Sequence, residues 1–394
     1  MKGNTKIGKD SSASSKKWWF ERNPFLTLLI FLFFIITLTD FLLGVFLIPS
    51  DNTPFRSLHP YYHHGLLPGK KAMATWGPIV YPFYTNSLGM RDTGMVDVPL
   101  TTRHKRILLL GDSHTEAVGV YAEDSFYGIL KKAGKPKGIE VLNGAVVSYS
   151  SKIHYLKAKY YLEERKLDVD EIWVFIDLSD LQNEIAYETF VPRNENIFNK
   201  ARDKFFRFLK TNSFVVNRIE IMRDSRNYAR FTAVMSEFDQ QRGREFRNNT
   251  IELYRVFFRD FNDKELLQNP EFHGVGQWYY DSSLIQLADK GLNLGMENIR
   301  RLDSLCRQKK INLTLCVHPW QIQVMKQDTS DYYVRRWADF CKSQNIAFIN
   351  LFPVFINGEN PEAAIKKYYI PNDNHWSEQG HAKVARHLQK YMVP

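Results

Sequence analysis

The chain has 394 residues, 44% of them apolar and 14% aromatic, which is ample for a packed core and excludes a wholly disordered protein. Its 53 Lys and Arg against 43 Asp and Glu leave a formal charge of +10, which suits phospholipid headgroups, acidic glycan or nucleic acid as surroundings. The sequence carries no nucleic-acid motif, so nucleic acid is not expected and membrane or glycan stands first; a solvated basic surface accounts for the charge equally well.

Residues 1–23 are polar and rich in Ser and Lys, as in a short cytoplasmic tail. From Phe25 to Ile48 the chain reads FLTLLIFLFFIITLTDFLLGVFLI, with Asp40 its one charge. At ~1.5 Å per residue such a helix is about 36 Å long, enough to cross a ~30 Å hydrocarbon layer with some tilt. Lys16, Lys17 and Arg22 precede it, which places the N-terminus in the cytoplasm and the remaining chain outside. A cleaved signal peptide would have a shorter apolar region and a small-x-small site after it, so an uncleaved single-pass anchor over 25–48 is expected. A carboxylate is costly in lipid, so Asp40 is expected near the interface, with a membrane-protein partner as the other reading.

Residues 50–104 are rich in Pro, Gly, His and Tyr with little periodicity and read as an irregular connector. An α/β pattern fills 105–394. Short apolar runs recur at Arg106–Leu110, Glu140–Leu142, Ile172–Ile176, Asn312–Val317 and Ala347–Leu351. They are too short for helices and too uniformly apolar for half-exposed strands, and so suit a parallel sheet buried on both faces. Helical stretches such as Ser125–Lys132, Tyr155–Glu164 and Leu284–Lys309 lie between them. The expected fold is a doubly wound, flavodoxin-like parallel sheet of about five strands, whose ligands bind beyond the carboxyl ends of the strands. Residues 184–270 interrupt the alternation with a stretch dense in Arg, Lys and Phe, read as a helical insertion: a cap over the site, a surface on headgroups, or a solvated subdomain.

The chemistry gathers at two ends of the α/β region. In RILLLGDSHTEAVGV, Ser113 follows a strand directly, with Gly111 allowing a sharp turn and a helix expected next. A free hydroxyl is a weak nucleophile and needs a base held by a carboxylate. PNDNHWSEQGH supplies both in Asp373 and His375, in a loop that a doubly wound sheet returns to the same edge. Either motif alone is weak, since a serine after a strand is more often a helix cap.

Together these residues resemble the SGNH (GDSL-like) hydrolase superfamily, in which Gly111-Asp112-Ser113 matches the nucleophile block. Asp373-Asn374-His375-Trp376 looks like the D-x-H-W variant of proteins that O-acetylate extracellular polysaccharides. Asn86-Ser87-Leu88-Gly89-Met90-Arg91-Asp92 is similar to the lead-in of membrane-anchored bacterial members. The resemblance covers roughly 86–183 and 284–392 and implies a Ser113–His375–Asp373 triad without a cofactor or metal. Its middle blocks depart from the family. Ser148 stands where an oxyanion-binding glycine is expected, and Asp177-Leu178-Ser179-Asp180 replaces G-x-N-D. That leaves Ser148, Ser179 and Asn183 as candidate oxyanion donors.

The function implied is an extracytoplasmic O-acetyl esterase or O-acetyltransferase, whose partner is an acylated glycan or other ester substrate. Two other readings stay open: a catalytically weak partner in a membrane polysaccharide-modification complex, and a lipid esterase at the membrane surface. Other candidates carry less. His59, His63 and His64 lack supporting metal-ligand spacing, and His318 either lines the cleft or packs in a turn. His381 reads as structural, and Arg91 reads as an anion-binding group or a loop ion pair. Of the three cysteines, Cys316 reads as a buried hydrophobe; whether Cys306, Cys316 and Cys341 include a bridged pair is open.

Overall fold

The computed structural model of the chain describes residues 18–47, 55–76, 79–193, 197–223, 226, 285–371 and 373–393. The chain divides into two compact units, residues 1–49 with 203–220, and residues 50–202 with 221–394. In the smaller unit, helix α1 (Pro24–Leu47) is 24 residues long and apolar all round, with only Gly44 buried. By length and composition it is able to cross a membrane, one residue out of step with the expected 25–48.

The larger unit is built on one eight-stranded sheet. Five strands are mutually parallel: β6 (Lys105–Leu110), β7 (Ile139–Asn143), β8 (Glu171–Ile176), β9 (Asn312–Val317) and β10 (Ala347–Asn350). Their spatial order is β7-β6-β8-β9-β10, the flavodoxin-like order in which the first strand sits inside the second. Each expected apolar run lies within a residue of one of them. Five of the six residues of β6 and of β8 are buried, because helices cover both faces. The helices flanking the strands include α2 (Ser113–Glu116), α3 (Phe126–Gly134), α4 (Ser151–Lys159) and α5 (Asp180–Ala186). α6 (Ile197–Asn212) begins in the larger unit and ends in the smaller, and α7 (Ile285–Lys309), α8 (Tyr332–Gln344) and α9 (Glu378–Leu388) complete the layers. α7 packs so closely on α5 that a Cβ at Gly291 would lie 2.1 Å from the Leu181 carbonyl oxygen.

The connector expected over 50–104 is corrected by the structure. β1 (Arg56–His59) and β2 (His63–Leu66) form a hairpin. β3 (Lys71–Trp76), β4 (Ile79–Thr85) and β5 (Arg91–Asp92) then extend the main sheet antiparallel beyond β7. β3 alternates exposed and buried residues, the mark of a strand with one wet face, and its mixed composition hides that period. Of the insertion expected over 184–270, residues 227–270 lie outside the described residues. So does most of the tail, residues 1–17.

Candidate active site

Ser113 is placed by the turn that ends β6. A Cβ at Gly111 would sit 2.2 Å from Thr115 Oγ1, so only glycine lets the chain turn this tightly into α2. Asp112 caps the helix by accepting the His114 backbone N–H at 3.0 Å. After one turn, Ala117 at φ 65° ends α2. The loop beyond is held by Arg91, fully buried, whose guanidinium donates to the carbonyls of Glu116, Ala117 and Val120. Glu116 is buried as well; it accepts the Val147 N–H at 2.9 Å and pairs with Arg56. One carboxylate thus ties the helix that bears Ser113 to the turn that follows β7.

The loop before α9 brings the other two groups. It is closed by Ile370 N–H to His375 O at 2.8 Å and by Asp373 N–H to Ile370 O at 3.0 Å. His375 Nε2 lies 2.7 Å from Ser113 Oγ, and His375 Nδ1 is hydrogen-bonded to Asp373 Oδ1. A carboxylate only accepts, so Nδ1 carries the proton and Nε2 is left to accept from the serine hydroxyl. Asp373 is anchored twice more: Trp76 Nε1–H donates to Oδ2 at 3.0 Å, and the Gln321 amide donates to its carbonyl at 2.6 Å. The Trp76 ring also meets the His375 ring edge-on at 4.7 Å.

Beneath the triad lies a buried polar floor. The His114 ring stacks on that of His375 at 4.5 Å, and its Nε2–H donates to the Asn374 carbonyl at 2.9 Å. Its Nδ1 faces Asp177 Oδ2 at 3.1 Å and Asp112 Oδ1 at 3.8 Å. Nε2 meets a carbonyl and Nδ1 lies beside two carboxylates, surroundings that favour the imidazolium form of His114. Burial opposes that charge, but the hydrogen bonds and charges of Asp112 and Asp177 outweigh it and raise the pKa to about 10. Burial likewise opposes ionisation of Asp177, yet His114 holds its carboxyl well below the usual range. His318, fully buried beside them, is lowered to about 3 by burial and by the charge on His114, and is neutral. Asp112, His114, Asp177 and His318 offer atoms within 4.8 Å of one another, the ligand types and spacing that would hold a divalent ion.

The serine ends the first parallel strand, Asp177 ends its neighbour, and the Asp–His loop follows the last strand. That is the arrangement the sequence resemblance implies. No family model matches the chain, and no curated protein does. Among solved structures, a putative lipolytic protein of the G-D-S-L family from Desulfitobacterium hafniense DCB-2 is 11% identical, with a TM-score of 0.36 over 73% of this chain and all of that one. The acetylxylan esterase Axe2 from Geobacillus stearothermophilus is 14% identical, with a TM-score of 0.36 over 74% of this chain and 95% of that one. Likeness at that level carries no residue-by-residue correspondence.

The three candidate oxyanion donors fare differently. The turn bearing Ser148 runs alongside Gly111, through Val146 N–H to Gly111 O at 3.2 Å. Ser148 has φ 59°, a left-handed conformation that costs a non-glycine residue about 1 kcal/mol. Neither its backbone N–H nor that of Ser113 donates to a protein acceptor among the described residues. Ser179 is otherwise engaged: its hydroxyl lies 2.6 Å from Asp177 Oδ1 and 3.2 Å from Asp112 Oδ2, so its single proton points at carboxylates. Asn183, half-buried on α5, makes no side-chain hydrogen bond to any of these groups.

Trp76, Glu116, His114 and Gln321 were not singled out from sequence. His114 adjoins Ser113 and was the easiest to find; nothing local marks Trp76 or Gln321. His59 stacks on Tyr62, and His64 Nε2–H donates to Val147 O at 2.9 Å, so the early histidines are packing groups. His381 is buried and stacks on Phe126. Arg91, expected at an anion or an ion pair, holds backbone carbonyls instead. Cys306, Cys316 and Cys341 are buried free thiols.

Proposed function

We propose that the chain is a membrane-anchored, extracytoplasmic serine acyl-ester enzyme, an O-acetyl esterase or O-acetyltransferase working on a glycan or another cell-envelope substrate. The observation that carries this is the unbroken hydrogen-bond chain from Ser113 through His375 to Asp373. Ser113 Oγ attacks the ester carbonyl while its proton passes to His375 Nε2, and Asp373 steadies the imidazolium that forms. The C–O bond to the alcohol then breaks, and that alcohol leaves with the proton from His375. Water gives an esterase by attacking the acyl-serine in turn; a sugar hydroxyl gives a transferase. In either case His375 takes the attacking proton, and Ser113 recovers it.

The tetrahedral oxyanion is assigned to the backbone N–H groups of Ser113 and Ser148, each worth about 10²–10³ in rate if it behaves like other such donors. With the Ser179 hydroxyl turned to carboxylates, the third donor of the usual set is missing. That favours, as a second reading, an enzyme slow on generic esters until a partner or its own substrate completes the hole. Helix α1 supports the anchor, and the excess of basic residues suits an acidic polymer. The test is turnover of an aryl acetate by the full chain, alone and with oligosaccharide acceptors. Acetate release lost in Ser113→Ala, and diverted to O-acetyl sugar when acceptor is present, supports the transferase. Release equal in wild type and Ser113→Ala refutes both forms.

A further inference from the structure

We infer that residues 204–220 form a helical hairpin set in the interfacial zone of the bilayer and docked through Asp40 on the C-terminal third of α1; this rests on α1 spanning the membrane. In the smaller unit α6 ends at Asn212, and a second helix occupies 214–223. Two backbone N–H groups at the start of that second helix are taken up by side chains. Ser213 Oγ accepts from Val216 at 3.1 Å, and Asp40 Oδ1, from the C-terminal third of α1, accepts from Val215 at 2.8 Å. One turn along α1, Gly44 allows the closest approach, since a Cβ there would lie 1.8 Å from the Asn212 carbonyl oxygen. Between them Phe41 stacks on Phe208, ring centroids 5.5 Å apart. The hairpin is braced internally by the Asn217 amide on Lys210 O at 3.0 Å and by Lys210–Glu220 at 3.2 Å.

Asp40 lies seven residues before the end of α1 at Leu47, which is ~10 Å along the helix axis. The hairpin's turn therefore sits below the level where α1 ends. At that depth water does not satisfy a free helix N-terminus or a lone carboxylate, and each is satisfied by the other. The hairpin's surface suits a lipid interface. Phe205, Phe206 and Ile219 are 56%, 51% and 55% exposed, and Lys204 and Arg218 supply charge for anionic headgroups. The hairpin packs directly on Asp40, Phe41 and Gly44 of the spanning helix itself, which is why the bilayer, rather than a second protein, is its occupant.

The test uses the full chain in vesicles of phosphatidylcholine and phosphatidylglycerol, with an environment-sensitive fluorophore on Leu32→Cys, Phe205→Cys, Ile219→Cys or, as an exposed reference, Lys290→Cys. The native thiols are buried, so wild type is the labelling blank. Expected is quenching of position 32 by deep spin-labelled lipid and of 205 and 219 by shallow spin-labelled lipid, with iodide quenching at 205 and 219 at least about threefold weaker than at 290. Asp40→Ala raises iodide quenching at 219, and Asp40→Asn, which keeps an acceptor oxygen, restores protection. Iodide access at 205 and 219 equal to that at 290, with 32 still deep, overturns the hairpin alone. Access at 32 as well removes the anchor and the hairpin together. Protection at 205 and 219 without lipid quenching means that a protein covers them, which also overturns the proposal, and an unaffected Asp40→Ala overturns the role of Asp40.

Discussion

Asp373 is held from three directions, and Trp76, the least local of its partners, lies 297 residues away in sequence. Its indole N–H takes the carboxylate oxygen that His375 does not use, which leaves the other oxygen aimed at the ring. Trp76→Phe keeps the edge-on packing and removes one charge-assisted hydrogen bond, worth about 1.5–3 kcal/mol. The expected result is a fall in kcat of about tenfold or more with KM nearly unchanged, read by steady-state kinetics on an aryl acetate. A second prediction concerns His114. Its pKa in the fold, about 10, lies above the ordinary imidazole value, which is about 6.5. It therefore stabilises the protein fully below about pH 6.5 and loses that contribution as pH rises through about 10. Urea unfolding at pH 7 and pH 10.5 should show a smaller alkaline loss in His114→Gln than in wild type. Equal losses would mean that His114 is not charged in the fold. The candidate residues Ser113, Asp373 and His375 were legible in sequence because each lies in a short motif beside a strand or helix end. Trp76, Glu116 and Gln321 were not, because each acts through one contact made only once the sheet is assembled.

At the level of elements, the five parallel strands were legible because burial on both faces leaves an unbroken apolar run. The antiparallel extension β3–β5 was not: one wet face, Pro82 within β4 and a two-residue β5 dilute any pattern. Yet this extension carries Trp76 and Arg91, which hold Asp373 and the loop after Ser113. Helix contacts offer a cleaner test. Gly291→Ala on α7 pushes a methyl into the Leu181 carbonyl of α5, and overpacking of this sort typically costs about 1–3 kcal/mol. One turn on, at Gly295, the nearest atoms to an added Cβ are 3.5 Å away. Gly295→Ala should be neutral or gain up to about 1 kcal/mol from helix propensity. Denaturant unfolding of the two variants distinguishes them; equal stability would place the α5–α7 contact elsewhere.

On the scale of the whole molecule, the sequence reads as an apolar anchor ahead of an α/β body; the structure has the apolar helix α1 in one unit and the sheet in the other. The sequence did not reveal that residues 203–220 belong with the anchor, because their pairing with Asp40 and Gly44 joins segments far apart in the chain. The proposed chemistry rests on the larger unit and on one nucleophile. Its most direct test is covalent: exposure of the full, detergent-solubilised chain to a fluorophosphonate probe, followed by intact mass and peptide mapping. The expected result is one phosphonyl adduct on Ser113, absent from Ser113→Ala and formed at least about 10³-fold more slowly in His375→Ala. A folded wild-type chain that leaves Ser113 unlabelled, or labelling of Ser113 at the same rate without His375, would contradict it.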